Sequence, residues 1–141
     1  MDVIVKKQYS LRNQPFYKLL GFSVGLVDSD TQSLSFYSQK LTEANLLVEA
    51  VGDLDELNRI IVDNPIYAVV FNPSVERIDR DINALRNFAE QNPQLPIITM
   101  AKTMQEMQIN AIMKAGTRLH INRDLSHPRD LLIALEQILT K

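Results

Sequence analysis

A chain of 141 residues is long enough for one domain and short for two. Hydrophobic residues make up 45% and charged residues 23%, ordinary for a globular domain, and a net charge of −2 sets up no global basic field to draw nucleic acid. Without cysteine there is no disulfide, thiolate nucleophile or thiolate metal site, and His120 and His127 alone leave little room for a histidine zinc site.

Residues 1–21 stand outside the pattern that follows and are expected to form an amino-terminal extension, with the main domain over 22–141. The extension is basic: Lys6, Lys7, Arg12 and Lys18 face only Asp2, about +3, leaving about −5 for the rest. Such a segment can touch an acidic partner or a membrane, but the plainer expectation is a solvated leader. Val3-Ile4-Val5 has the composition of a short strand, and Pro15 to Leu20 that of a helical turn ended by Gly21. No apolar run reaches the ~18 residues of a membrane span. The start lacks the long apolar core of a signal peptide, so a cytoplasmic location is expected.

Phe22 to Val27 reads as a first strand, followed by Asp28-Ser29-Asp30, where Asp28 or Ser29 is placed to cap the next helix. Leu34, Tyr37, Leu41 and Ala44 recur at helical spacing. Leu46 to Val51 is a second strand closed by Gly52. Asp53 to Leu57 opens a second helix with acids at its positive end, and Asn64-Pro65 stops it. Ile66 to Phe71 is a third strand, apolar throughout, as suits a strand covered on both faces. Pro73 to Arg80 reads as a loop, with Ile82, Leu85, Phe88 and Ala89 as the next helical stripe. Leu95 to Met100 is a fourth strand, and Thr103 to Ala115 a helix stopped by Gly116. Leu119 to Ile121 is a short fifth strand. Ser126 is placed to cap the last helix, with Pro128 in its first turn.

Five strands alternating with five helices predict an α/β fold: a three-layer, doubly wound (βα)5 parallel sheet with right-handed crossovers. The strand order 2-1-3-4-5 puts the ligand crevice between strands one and three, at their carboxyl ends. The two sides of that crevice disagree chemically. Strand one ends in Asp28-Ser29-Asp30, whereas strand three ends in Phe71-Asn72-Pro73 with no acid. The contrast reads as a site that has lost its chemistry.

Residues 22 to 139 resemble the CheY-like receiver domain of two-component response regulators. The resemblance rests on Val27-Asp28-Ser29-Asp30 after strand one, Asn64-Pro65-Ile66-Tyr67-Ala68-Val69-Val70 into strand three, Leu95-Pro96-Ile97-Ile98 in strand four, and Ala111 to Ile121 through the fourth helix and fifth strand. It implies a phosphoacceptor aspartate, acids holding magnesium, a lysine on the phosphate, and a hydroxyl and an aromatic residue that relay the change. Carried across, these positions fall on Phe71 (Asn72 if the register slips by one), on Asp28 and Ser29, on Arg123, on Ala101 and on His120. Neither Phe71 nor Asn72 can form an acyl phosphate, and Ala101 has no hydroxyl. A degenerate pseudo-receiver is therefore expected, with no enzymatic activity and no cofactor.

Asp28 and Asp30 are weak metal candidates; pairing of Asp28 with Arg123, or helix capping alone, are the competing expectations. Asp79 and Asp81 lie too far beyond strand three to replace the acceptor. His120 is a possible pH switch or a half-exposed strand residue, and His127 a surface residue at a helix start. Met100, Met104, Met107 and Met113 crowd the fourth strand and helix, and Met104, Met107 and His120 are assigned to a partner face. The resemblance implies a protein partner or fused output domain, with a homodimer through the fourth helix, fifth strand and fifth helix. It also admits a pseudo-receiver ahead of a MinD/ParA-like ATPase, as in pilus-assembly localisation proteins. The competing function is a true receiver phosphorylated at an atypical acid by a histidine kinase. A flavodoxin-like enzyme is disfavoured by four glycines, no phosphate loop and no nucleophile–base pair.

Overall fold

The structure, a computed structural model, describes residues 16–140. Five parallel strands, β1 (Ser23–Asp28), β2 (Leu47–Val51), β3 (Ala68–Asn72), β4 (Ile97–Ala101) and β5 (Leu119–Asn122), form one sheet in the order β2-β1-β3-β4-β5. Five helices connect and cover them: α1 (Thr31–Glu43), α2 (Leu54–Ile60), α3 (Ile78–Gln91), α4 (Glu106–Ala115) and α5 (Pro128–Leu139). This is the expected doubly wound fold, with β1 and β3 adjacent at its centre.

Side-chain alternation along the strands divides the core in two. Val24, Leu26, Ala68, Val70, Ile98 and Met100 face one layer with Leu41 of α1 and Leu131 and Leu135 of α5. Val27, Val69, Phe71 and Ile97 face the other, with Leu57, Leu85, Phe88 and Ile112 of α2, α3 and α4. β3 is buried on both sides, which explains its unbroken apolar run. Gly25 in β1 lets α2 approach the sheet: a Cβ there would stand 2.9 Å from Leu57 Cδ1 and Cδ2. Gly116 ends α4 at φ +128°, and a Cβ on it would meet the Ala89 methyl at 2.6 Å, so this glycine also sets the α3–α4 contact.

Several local expectations are corrected. Asp30, not Asp28 or Ser29, caps α1: its Oδ1 accepts from the Gln32 and Ser33 N–H groups at 3.0 and 3.2 Å. Asp28 is still in the strand. α3 starts at Ile78 after a 3-10 turn (Val75–Arg77), so Asp79, Arg80 and Asp81 lie in its first turn and not in a loop. Acids are favoured there by the helix dipole, and Asp81 Oδ2 accepts from Ser74 N–H at 2.7 Å. His127, not Ser126, caps α5: its Nδ1 accepts from Arg129 N–H, and the Asp130 carboxylate accepts from His127 N–H. α4 begins at Glu106, after Gln105, instead of at Thr103.

Packing also reaches back past Phe22. The 3-10 turn Tyr17–Leu19 places Leu19 fully inside the core, and Gly21 N–H donates to the Asn45 carbonyl. The strand expected at Val3-Ile4-Val5 lies outside the described residues. Among the described residues, no helix is long and apolar enough to cross a membrane.

Candidate functional site

The carboxyl ends of β1 and β3 meet in register, Asp28 opposite Asn72. Asp28 is 4% exposed, and both its oxygens are occupied by neutral donors: Oδ1 accepts from Asp30 N–H at 2.9 Å and Oδ2 from Asn72 Nδ2 at 2.8 Å. Phe71 is one residue earlier, so its ring passes through the opposite face of the sheet and packs among Val27, Leu54 and Leu85. Of the two residues considered for the acceptor position, Phe71 belongs to the core, and Asn72 is the one that touches Asp28.

Arg123 sits in a 3-10 turn (Arg123–Leu125) after β5 and donates from Nη1 to Ser33 Oγ in the first turn of α1, at 2.7 Å. The expected Asp28–Arg123 ion pair is not formed. Each Asp28 oxygen accepts one hydrogen bond, from Asp30 N–H and from Asn72 Nδ2, while the Arg123 guanidinium donates to Ser33. Asp28, Ser29, Asp30, Asn72 and Arg123 nevertheless line one small polar cavity of about 80 Å³, with Lys102 at its edge. Tyr37 of α1 packs nearby, and burial raises its phenol above the ordinary value.

These residues do not fit the magnesium ion that receivers use. A hard divalent cation needs several carboxylate oxygens free to converge. Here each Asp28 oxygen already accepts a hydrogen bond, Asp30 Oδ1 caps α1, and a serine, Ser29, stands where the resemblance places a second acid. Among the described residues no three acids or histidines gather into a metal-binding group.

The two residues that the resemblance assigns to a relay are Ala101 and His120. Ala101 is buried at the end of β4 and offers no hydroxyl. His120, half-buried on β5, stands opposite Thr99, and its Nδ1 lies 2.8 Å from Thr99 Oγ1. Burial lowers the His120 pKa below its ordinary value. The hydroxyl that meets this ring is thus two residues before Ala101 on β4 and does not line the cavity.

Thr99 was not singled out by the sequence reading, although a polar residue inside an apolar strand is a legible signal. Neither was Ser33, which nothing in the sequence marks. A further link was missed: Thr103 N–H donates to Asp124 Oδ2 at 2.8 Å, tying the loop after β4 to the end of β5. That bond holds the Asp124 carboxyl below its usual range.

The methionines divide. Met100 is core, and Met104, in the loop before α4, is partly buried against the core cluster. Met107 is 77% exposed, and Met113, Leu119 and Ile133 are exposed on α4, β5 and α5.

No family model matches the chain, and no curated protein matches it. Solved structures do. A CheY-like response regulator receiver domain protein from Methanospirillum hungatei JF-1 superposes with TM-score 0.74 at 21% identity, over 85% of this chain and 94% of that one. A response regulator from Thermotoga maritima gives 0.74 at 18% identity, over 86% and 100%. A CheY-like protein, tadZ, from Pseudomonas aeruginosa PAO1 gives 0.70 at 13% identity, over 84% and 99%. At these identities the likeness establishes a shared fold.

Proposed function

We propose that this domain is a pseudo-receiver: a receiver-fold module that takes no phosphoryl group and acts in signal transduction or scaffolding through protein–protein contact. The observation that carries the reading is the Asn72–Asp28 hydrogen bond. An amide stands at the tip of β3 and donates to the one buried acid of the crevice. An amide oxygen cannot form an acyl phosphate, and its neighbour Phe71 is an apolar core residue. The absence of a hydroxyl at Ala101 and the arginine at Arg123, whose guanidinium is bonded to Ser33 of α1, point the same way.

The fold then serves as a non-catalytic docking block. The exposed apolar groups on α4, β5 and α5 support contact there, with a second copy or with a fused or separate output protein. One such setting is a position ahead of a MinD/ParA-like ATPase.

The test is incubation of the whole chain with a small phosphodonor and magnesium, followed by intact-mass measurement. An unmodified mass is expected. A phosphoryl adduct mapped to any aspartate overturns the reading and establishes the alternative, a receiver modified at an atypical acid.

A further inference from the structure

Between the carboxyl-terminal half of α1 and the start of α5 lies a groove of about 520 Å³, separate from the crevice above the sheet. Phe16, Phe36, Ala44 and Leu132 give it apolar walls. Its volume falls within the ~300–1,000 Å³ of sites that hold a ligand. Phe36 is 45% exposed, so a large apolar ring on α1 stays open at the groove.

The apolar walls carry cations. Lys40 Nζ is 5.4 Å from the centre of the Phe36 ring, and Arg129 Cζ is 5.9 Å from that of Phe16. Among the described residues Glu43 is the one acid that lines the groove, and its carboxylate is 3.8 Å from Lys40. An exposed pair of that kind contributes little and yields to a competing carboxylate. The segment that leads into Phe16 is itself basic, with Lys6, Lys7 and Arg12 against Asp2. The chain as a whole carries −2, so the cationic surplus is local.

The Phe16 ring is a fixed wall. Its backbone is left-handed, φ 66° and ψ 23°, a conformation uncommon for a bulky residue and concentrated at sites that clamp ligands. Two contacts hold it there. The Leu19 N–H donates to the Phe16 carbonyl at 2.9 Å, and the ring packs against the core cluster.

We infer that this groove docks an acidic amphipathic helix of a partner protein. A groove between two helices receives a third by its apolar face, through anchors at i, i+3 or i+4, and i+7. Those anchors enter between Phe16, Phe36 and Leu132, and Asp or Glu beside them meets Lys40 and Arg129. A basic helix meets repulsion at both cations. A second copy of the chain is disfavoured for the same reason, since a two-fold contact sets the groove's own cations against each other. The inference rests on the reading of this domain as a protein-contact module and adds a second contact face, across the sheet from α4.

The test is selection of helical peptides from a displayed random library on the whole chain, followed by titration of one synthesised binder against the isotope-labelled protein. The selected peptides are expected to combine Leu or Phe at helical spacing with Asp and Glu. The backbone amides of Phe36, Lys40 and Leu132 should shift, with those of Met113 and Leu119 unmoved. Lys40→Glu and Arg129→Glu should each weaken binding roughly threefold to tenfold, and rising salt should weaken it further. Lys40→Gln and Arg129→Gln give the smaller loss if a charge reversal disturbs the fold. Failure to select any peptide, selection of basic peptides, or an affinity unchanged by these variants overturns the inference. So do shifts at the same amides on dilution without peptide, which assign the groove to a second copy. Neither readout touches phosphorylation or the α4 face, so failure here leaves the pseudo-receiver reading to its own mass measurement.

Discussion

Thr99 Oγ1 and His120 Nδ1 lie 2.8 Å apart at directly opposed positions of β4 and β5. Thr99 is fully buried, so its hydroxyl depends on the imidazole for a partner. The bond ties His120 to the neighbouring strand.

Burial of the same ring sets a pH dependence. It lowers the folded-state pKa of His120 below the ordinary histidine value, so the folded protein favours the neutral ring. The unfolded chain binds that proton more readily, and the contribution of His120 to stability is full above about pH 6.5 and is lost as pH falls through the folded-state value. Urea midpoints should decline over that acid window, and the His120→Asn variant should show a smaller decline. Equal slopes for the two proteins would remove His120 as the cause.

Asn72→Ala leaves Asp28 Oδ2 without its donor in a nearly closed site. An unsatisfied buried acceptor costs about 1–3 kcal/mol. A fall of that size in the free energy of unfolding is expected, measured by urea titration. A change within error would mean that water serves Asp28 equally well.

Gly116→Ala and Gly25→Ala should differ. At Gly116 the new methyl meets the Ala89 Cβ at 2.6 Å on a backbone at φ +128°, so neither conformation nor space accommodates it. Strain of about 1–3 kcal/mol and a steric clash are expected together. At Gly25 the contacts are the ends of the Leu57 and Ile66 side chains, which can turn aside. The Gly116 variant should therefore unfold at the lower temperature, and the reverse order in a thermal melt would contradict the packing described here.

Met107→Glu places a charge on a residue 77% exposed, so stability should change by no more than about 0.5 kcal/mol. If α4 contributes to a partner face, self-association read by light scattering, or capture of the output protein, should weaken. Unchanged assembly would direct attention away from α4.

The alternation of apolar runs and helical stripes was enough to determine the fold, because a covered parallel sheet demands continuous hydrophobicity and each crossover helix demands a one-sided stripe. Residue identity alone also determined that neither Phe71 nor Asn72 can accept a phosphoryl group, since that is a property of their functional groups. What only the tertiary structure decided was which side chains touch. Asp28 took Asn72 in place of Arg123, Arg123 took Ser33, and His120 took Thr99. Each choice joins residues far apart in the chain and depends on strand register and helix rotation to within a few ångströms, distances that periodicity does not encode.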